Sequence, residues 1–417
     1  MRLLVLLAST SLLAACSGGG PSSVTSAPPP VTGGGGNNGG TANTTHTFAN
    51  PKEAKTYKGV GGSHTYSYAT DDRVPPRNQQ GELYAGKTTT VRSSTISVSY
   101  DPADAVYTLI VSDPLSGAEA ETRFQDPASR TDFGGAVEPQ WGTPELSNPN
   151  IHYLQAGDGD PLSPYRKSGT GFVNDGDNDN APTGTVGSAY QAASLFFLKP
   201  GTETQYVTYA GYIRNALTFK QFVIDGDPIA HNQTEWHLER GAFAFGENTP
   251  NDNVPRVGSG SFNGSMLATM VYNPTIDGQD PSGLVDLPTF FQWIEGSAKL
   301  DVDFAASSFN LTLNGTVTKP FYDYWTEPHV NVVPEGSTFT AAGKGDINMI
   351  NFGGFKGFFE SASLTSPEGL RDVAIEGSTI DGTFYGPAAE EAGGGFRIVG
   401  GKPDERVDIL GAFIGKK

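Results

Sequence analysis

From Pro255 onward the chain keeps a two-residue hydrophobic period through three consecutive segments, and that period narrows the available folds more than any other feature. Phe262, Met266, Ala268, Met270 and Tyr272 fall on even positions, while Ser259, Ser261, Asn263, Ser265 and Thr269 fall on odd ones. Ala298, Leu300, Val302 and Phe304 then alternate with Lys299, Asp301 and Asp303, and Phe309, Leu311, Leu313 and Val317 with Asn310, Thr312, Asn314 and Thr316. Successive side chains of a strand point to opposite faces, so each segment predicts a strand with one dry face and one wet face. Further strands are predicted at 339–350, 355–364, 373–377, 379–385, 395–399 and 407–414, which makes eight or nine in all. That number closes an antiparallel sheet around a core of side chains. A membrane barrel would turn its apolar face outward over about ten residues per strand, and several of these segments are too short for that. The expectation is therefore a mainly β chain ending in an eight- to nine-stranded antiparallel soluble β-barrel over 255–417, with Phe384, Phe396 and Phe413 facing a common interior.

The preceding stretch, 48–254, is read as a β-rich domain with long loops. Ile96, Val98 and Tyr100 alternate with serines, Asp101-Pro102-Ala103-Asp104 makes a turn, and Tyr107, Leu109 and Val111 alternate again, which predicts a hairpin. Strand-forming side chains recur at 195–198, 206–214 and 235–245. Between them, 125–192 is rich in Pro, Gly and Asp and reads as loop, so a small twisted sheet that does not close on itself is expected. The 54 glycines and 29 prolines of the 417-residue chain also weigh against a helical fold.

At the amino terminus Arg2 precedes an apolar run, and Leu13-Ala14-Ala15-Cys16 places small residues before the chain's one cysteine. This is the pattern of a lipoprotein signal peptide over 1–15, with Cys16 as the site of lipidation. The run is shorter than a membrane-spanning helix, and a lone cysteine forms no internal disulfide. Residues 16–47 are Gly, Ser, Pro, Thr and Asn with almost no large side chains, a composition that cannot bury enough surface to fold and that predicts a tether reaching about 30 Å. Membrane attachment through an N-terminal lipid is the first predicted partnership. Ser17 rather than Asp after the cysteine points to the outer membrane. The formal net charge of −18 argues against nucleic acid as a partner.

Motifs for chemistry are sparse. Gly81 to Thr88 matches the P-loop by letters, but Thr88-Thr89-Thr90-Val91 follows with strand composition instead of a helix, so no phosphate cradle forms. Asp175, Asp177 and Asp179 resemble the start of a calcium loop. Asn180 and Val186 stand where an EF-hand needs Gly and Glu, which leaves a solvated acidic loop or a looser cation site. The six histidines, His46, His64, His152, His231, His237 and His329, form no metal-ligand spacing, and no nucleophile motif is present, so no catalytic residue and no cofactor are assigned. The most suggestive segment is the interruption at 319–334, with Phe321, Tyr322, Tyr324, Trp325 and His329. Aromatics in a loop are enriched at binding hot spots, and they also fill seams between domains. Both readings stand at this level, and the same pair applies to Phe290-Phe291-Gln292-Trp293, where core is favoured.

The closing segment, Phe384-Tyr385-Gly386-Pro387-Ala388-Ala389-Glu390-Glu391, followed by Gly393-Gly394-Gly395-Phe396 and by Gly411-Ala412-Phe413, resembles the transferrin-binding-protein-B-like surface lipoproteins. Residues 256–264 and 299–304 are similar to the opening strands of that family's barrel, and the half before them corresponds more loosely to its handle domain. The Phe-Tyr-Gly-Pro signature occurs once, so a single handle-plus-barrel lobe is expected. The resemblance implies an outer-membrane, surface-exposed lipoprotein that captures an extracellular protein or an iron or haem carrier, with a TonB-dependent receptor as partner. The alternative is a structural or adhesive envelope lipoprotein with no nutrient ligand.

Overall fold

The structure, a computed structural model, describes residues 53–71, 80–81, 95–103, 106–112, 119–125, 142–157, 189–223, 230–274, 290–320, 333–351, 353–367, 369–401 and 405–417. Among the described residues, the regular structure is extended apart from one 3-10 turn at Asn251–Asn253. No helix among the described residues is long and apolar enough to cross a membrane.

The first ten strands build two sheets. Strands β1 (Lys55–Lys58), β4 (Thr95–Asp101), β5 (Val106–Ser112) and β6 (Glu119–Gln125) form one in the order β1-β4-β5-β6. Strands β2 (Val60–Asp71), β3 (Gln80–Gly81), β7 (Ile151–Gly157), β8 (Ala189–Leu198), β9 (Val207–Val223) and β10 (Ala230–Gly246) form the other in the order β3-β2-β10-β9-β8-β7. The predicted hairpin is β4–β5, with Tyr100 opposite Tyr107. The single small sheet expected here is corrected to two packed sheets. The stretch 125–192 is also not all loop, since it contains β7, whose Ile151, Leu154 and Ala156 are buried despite an irregular alternation. Both faces of the six-stranded sheet are covered, so its strands lose the wet face that makes a strand easy to read.

On β8, Leu195 and Phe197 point towards the four-stranded sheet, where they join Ile96, Val98, Leu109, Val111 and Phe124. Phe196 and Leu198 point the other way and join Val207, Tyr209 and Ile213 of β9. The surface that covers this second face is the outside of the barrel, through Leu267, Trp293, Tyr385, Ala412 and Ile414.

The barrel consists of β11 (Ser259–Pro274), β12 (Phe290–Asp303), β13 (Ser308–Val317), β14 (Thr338–Asn348), β15 (Gly354–Ser366), β16 (Gly369–Asp372), β17 (Ile375–Tyr385), β18 (Glu391–Gly400) and β19 (Glu405–Lys416). They run in the order β14-β13-β12-β11-β19-β18-β17-β15-β16, and β14 pairs with β15 to close the ring. The strand expected at 373–377 is not separate. Its first residues lie in a bulge between β16 and β17, which pair with β15 two residues out of register with each other, and its last belong to β17. A bulge bends a strand and sharpens its twist, which lets this wall turn the corner of the barrel.

The even-numbered apolar set of β11, its counterparts on β12 and β13, and Phe384, Phe396 and Phe413 all lie in one buried cluster. Phe384 touches the rings of Phe262, Phe304 and Phe355 at centroid distances of 5.8, 5.5 and 5.5 Å. Each such ring contributes roughly 1.5–3 kcal/mol by leaving water. The interior is filled by side chains, and the outward residues Asn310, Thr312, Asn314 and Thr316 of β13 are exposed, the opposite of a lipid-facing apolar band.

The Gly-Pro-Ala-Ala-Glu corner links β17 to β18. Gly386 has φ 88° and Ala389 φ 59°, and the Glu390 carboxylate accepts the Ala388 N–H at 2.8 Å. A Cβ on Gly386 would meet that carboxylate at 2.5 Å as well as the Tyr206 ring at 2.8 Å, so both the backbone and the packing demand glycine. Elsewhere, aromatic rings lie directly over glycines on the paired strand: Phe396 opposite Gly411, Phe355 opposite Gly382, Tyr212 opposite Gly241 and Phe196 opposite Gly211. A Cβ at those glycines would come within 2.0–2.5 Å of the ring.

Candidate functional site

The two longest connections of the barrel leave from the same end. At one end, described strands are joined across three short turns, 304–307, 349–353 and 386–390. At the other end leave the connections 275–289 and 318–337, together with 401–404 and the β15–β16 turn. The six-stranded sheet obeys the same polarity. Val207 and Gly246 lie beside the short-turn end, where Glu391 meets Val207 and Asn248 bridges Tyr385. The connections 72–79, 158–188 and 224–229 leave from its opposite end. Both bodies therefore send their long connections out on the same side.

The predicted aromatic residues Phe321, Tyr322, Tyr324, Trp325 and His329 lie in 321–332, outside the described residues, and so do Cys16 and Asp175, Asp177 and Asp179. The two feet of the aromatic loop are described, and they are tied together. The side-chain amide of buried Gln292 donates to the carbonyls of Thr318 at 3.1 Å and Val333 at 2.8 Å. Thr318 donates its N–H to Trp293 O at 2.8 Å, and Val317 donates to Ser337 O at 2.8 Å. The segment Phe290-Phe291-Gln292-Trp293 thus acts as seam and loop base. Trp293 is fully buried, meets Phe196 edge-on at 5.0 Å and donates its indole N–H to Gly142 O at 2.9 Å. Among the described residues, no group of His, Cys, Asp and Glu is arranged to hold a metal ion.

What sequence reasoning missed is the polar clamp between the sheets and the barrel. Asp408 on the outer face of β19 receives a two-pronged bond from Arg397 of β18, Nε to Oδ1 at 3.0 Å and a terminal nitrogen to Oδ2 at 2.7 Å, and His64 Nε2 of β2 lies 3.1 Å from Oδ1. Burial alone would raise the Asp408 carboxyl, but His64 and Arg397 outweigh it and hold the group well below the usual carboxylate range. At the other end of the seam the Glu391 carboxylate accepts three successive backbone N–H groups, from Gln205 at 2.6 Å, Tyr206 at 2.7 Å and Val207 at 3.0 Å. Here burial wins over those bonds, and the Glu391 carboxyl is raised. Glu295 of β12 likewise accepts the Ser147 N–H at 2.9 Å and its hydroxyl at 3.0 Å. One signal was available in the sequence. The run Ile409-Leu410-Gly411-Ala412-Phe413-Ile414 is apolar on both faces, which marks a strand covered on both sides.

The described residues form a barrel filled by side chains and joined along one wall to a pair of sheets. Residues 254–417 match the family described as C-lobe and N-lobe beta barrels of Tf-binding protein B. Among solved structures, it is similar to a mutant transferrin binding protein B from Haemophilus parasuis Hp5 at 12% identity, covering 86% of this chain and 76% of that one, TM-score 0.28. It is also similar to intact Ap-TbpB with its N and C lobes at 13%, covering 88% and 80%, TM-score 0.28. The isotype 1 protein from serogroup B Neisseria meningitidis matches at 15%, covering 88% and 77%, TM-score 0.22. A comparison with curated proteins found no match.

Proposed function

We propose that this chain is a lipid-anchored binding protein of the outer-membrane surface, and that it captures an extracellular iron- or haem-carrying protein through the long connections gathered at one end of the barrel. The observation that carries the reading is the polarity of those connections. The barrel interior is occupied by side chains, so a ligand has to be met from outside, and the connections 158–188, 275–289 and 318–337 leave on one side. The segment 321–332 is the favoured contact because its composition is aromatic and because Gln292 ties Thr318 and Val333, the residues that flank it, to each other. A TonB-dependent receptor would take up the iron or haem released from such a carrier. The family match of the barrel supports the binding class, and Leu13-Ala14-Ala15-Cys16 supports the anchor.

The test is interferometry with the immobilised mature chain against transferrin, haemoglobin and serum albumin as control. Saturable binding to an iron or haem carrier, lost in Tyr324→Ala/Trp325→Ala with an unchanged melting temperature, is the expected result. The absence of saturable binding to either carrier refutes the ligand class. Loss of binding together with a large fall in melting temperature refutes the loop as contact and assigns its rings to packing. Shaving of intact cells with protease tests display, because a folded part that survives until the outer membrane is opened would lie inside it.

A further inference from the structure

The chain enters its folded part at the short-turn end. The Lys55 ammonium pairs with Glu247, and Tyr57 stacks on Phe245 with its hydroxyl 3.3 Å from the same carboxylate. The backbone carbonyl of Glu247 accepts the N–H of Gly386 at 2.9 Å, so the entry point sits beside the β17–β18 corner, at the end opposite the connections 275–289 and 318–337. Whatever precedes residue 53 departs from there. Two large aliphatic side chains stand out on this same end, Ile350 at 93% exposure on the β14–β15 turn and Val257 at 76% on the approach to β11.

Neither tip belongs to a loose loop. Asn348 Oδ1 accepts the N–H groups of Ile350 at 3.1 Å and Asn351 at 2.8 Å, and Asn251 ties the neighbouring Met349 carbonyl at 2.9 Å. Gly258, next to Val257, accepts the Phe304 N–H at 2.9 Å. Around the tips lie Arg256, Lys416 and Lys417, with Asp252 3.8 Å from Arg256 and Glu390 in the corner. The charges are mixed, so electrostatics neither drives this end onto an anionic surface nor forbids contact, even in a chain of formal charge −18.

From these placements we infer that the short-turn end is a membrane-facing surface, which seats Ile350 and Val257 in the interfacial layer of the lipid bilayer that holds the anchor. The inference rests on the lipid anchor of the reading above. A tether with the composition of 16–47 reaches about 30 Å, which keeps the entry end close to the lipid and leaves the long connections directed away from it. Anchoring supplies the high local concentration, and shallow burial of two aliphatic side chains then orients the body without having to recruit it.

The chain's only cysteine is consumed by acylation in the mature lipoprotein, so a single introduced thiol can be labelled cleanly. We would reconstitute the acylated full chain into vesicles of phosphatidylethanolamine and phosphatidylglycerol, with an environment-sensitive fluorophore at Ile350→Cys or at Leu370→Cys. Leu370 is 64% exposed at the long-connection end and serves as the opposite pole. Brominated acyl chains should quench the label at 350 and leave that at 370 unquenched. Ile350→Asp, at a position free of packing, should abolish quenching of a label placed at Val257→Cys. No quenching at 350 in a chain that floats with the vesicles overturns the inference and leaves the anchor standing, and quenching at 370 overturns it as well. A chain that fails to float removes the anchor reading itself and this inference with it.

Discussion

Replacing Trp293 tests whether the barrel and the six-stranded sheet fold as one body. Its ring is buried between them, edge-on to Phe196, and its N–H satisfies the Gly142 carbonyl. Trp293→Phe keeps most of the ring but leaves that carbonyl unpaired in a buried place, which costs about 1–3 kcal/mol. Trp293→Ala also empties the space and should cost about 3–5 kcal/mol. The edge-on pair with Phe196 adds about 0.5–1.5 kcal/mol beyond its area, so a cycle with Phe196→Leu should return a coupling of that size. Urea unfolding followed by circular dichroism reads the wild type, the three single variants and the double variant Trp293→Ala/Phe196→Leu. A loss of less than about 1 kcal/mol in Trp293→Ala, or strict additivity with Phe196→Leu, would mean that the ring does not join the two bodies and that the clamp described here is wrong.

The two seam carboxylates should respond to acid with opposite signs. Asp408 has a depressed folded pKa, so its contribution is present above the unfolded value of 3.8 and is lost as pH falls below it; Asp408→Asn should cost about 3–5 kcal/mol near neutrality, and the penalty should shrink in acid. Glu391 has a raised folded pKa, so its contribution is complete below 4.5 and is lost as pH rises through the folded value; the penalty of Glu391→Gln should therefore grow as pH falls, and equal slopes for the two variants would refute the assignment. Gly411→Ala sets a methyl 2.5 Å from the Phe396 ring and should destabilise by about 1–3 kcal/mol, much of it recovered in Gly411→Ala/Phe396→Leu, as melting temperatures would show.

The barrel was legible because the apolar residues of its first three strands keep a two-residue period, and Phe262 to Tyr272 read directly as its interior, although Leu267 and Trp293 on the outer faces are buried against the sheets. The sheets before it were less so, since β8 carries Leu195, Phe196, Phe197 and Leu198 in succession and such a run does not say which of its neighbours lies on which side. The predicted strand at 373–377 failed because a bulge breaks the period locally, and no propensity marks where a barrel must bend. The clamp of His64, Arg397 and Asp408 was invisible for another reason. His64 is far in the chain from Arg397 and Asp408, and each residue alone resembles an ordinary surface charge. The segment 321–332 was legible only as composition, and it lies outside the described residues.

The rings seated over glycines also govern how the chain avoids assembling wrongly. Antiparallel strands of similar composition can pair two residues out of step and still keep their apolar faces aligned, which makes such errors hard to reject early. If β19 slipped by two against β18, Phe396 would face Ile409 or Phe413 instead of Gly411, and no room would remain for the ring. The vacant glycine is thus a proofreading device, and it admits a single alignment among several that hydrophobicity alone would accept. With similar seats on β9, β10 and β17, a chain composed mainly of long-range strand pairings carries a check on its alignment in both of its bodies.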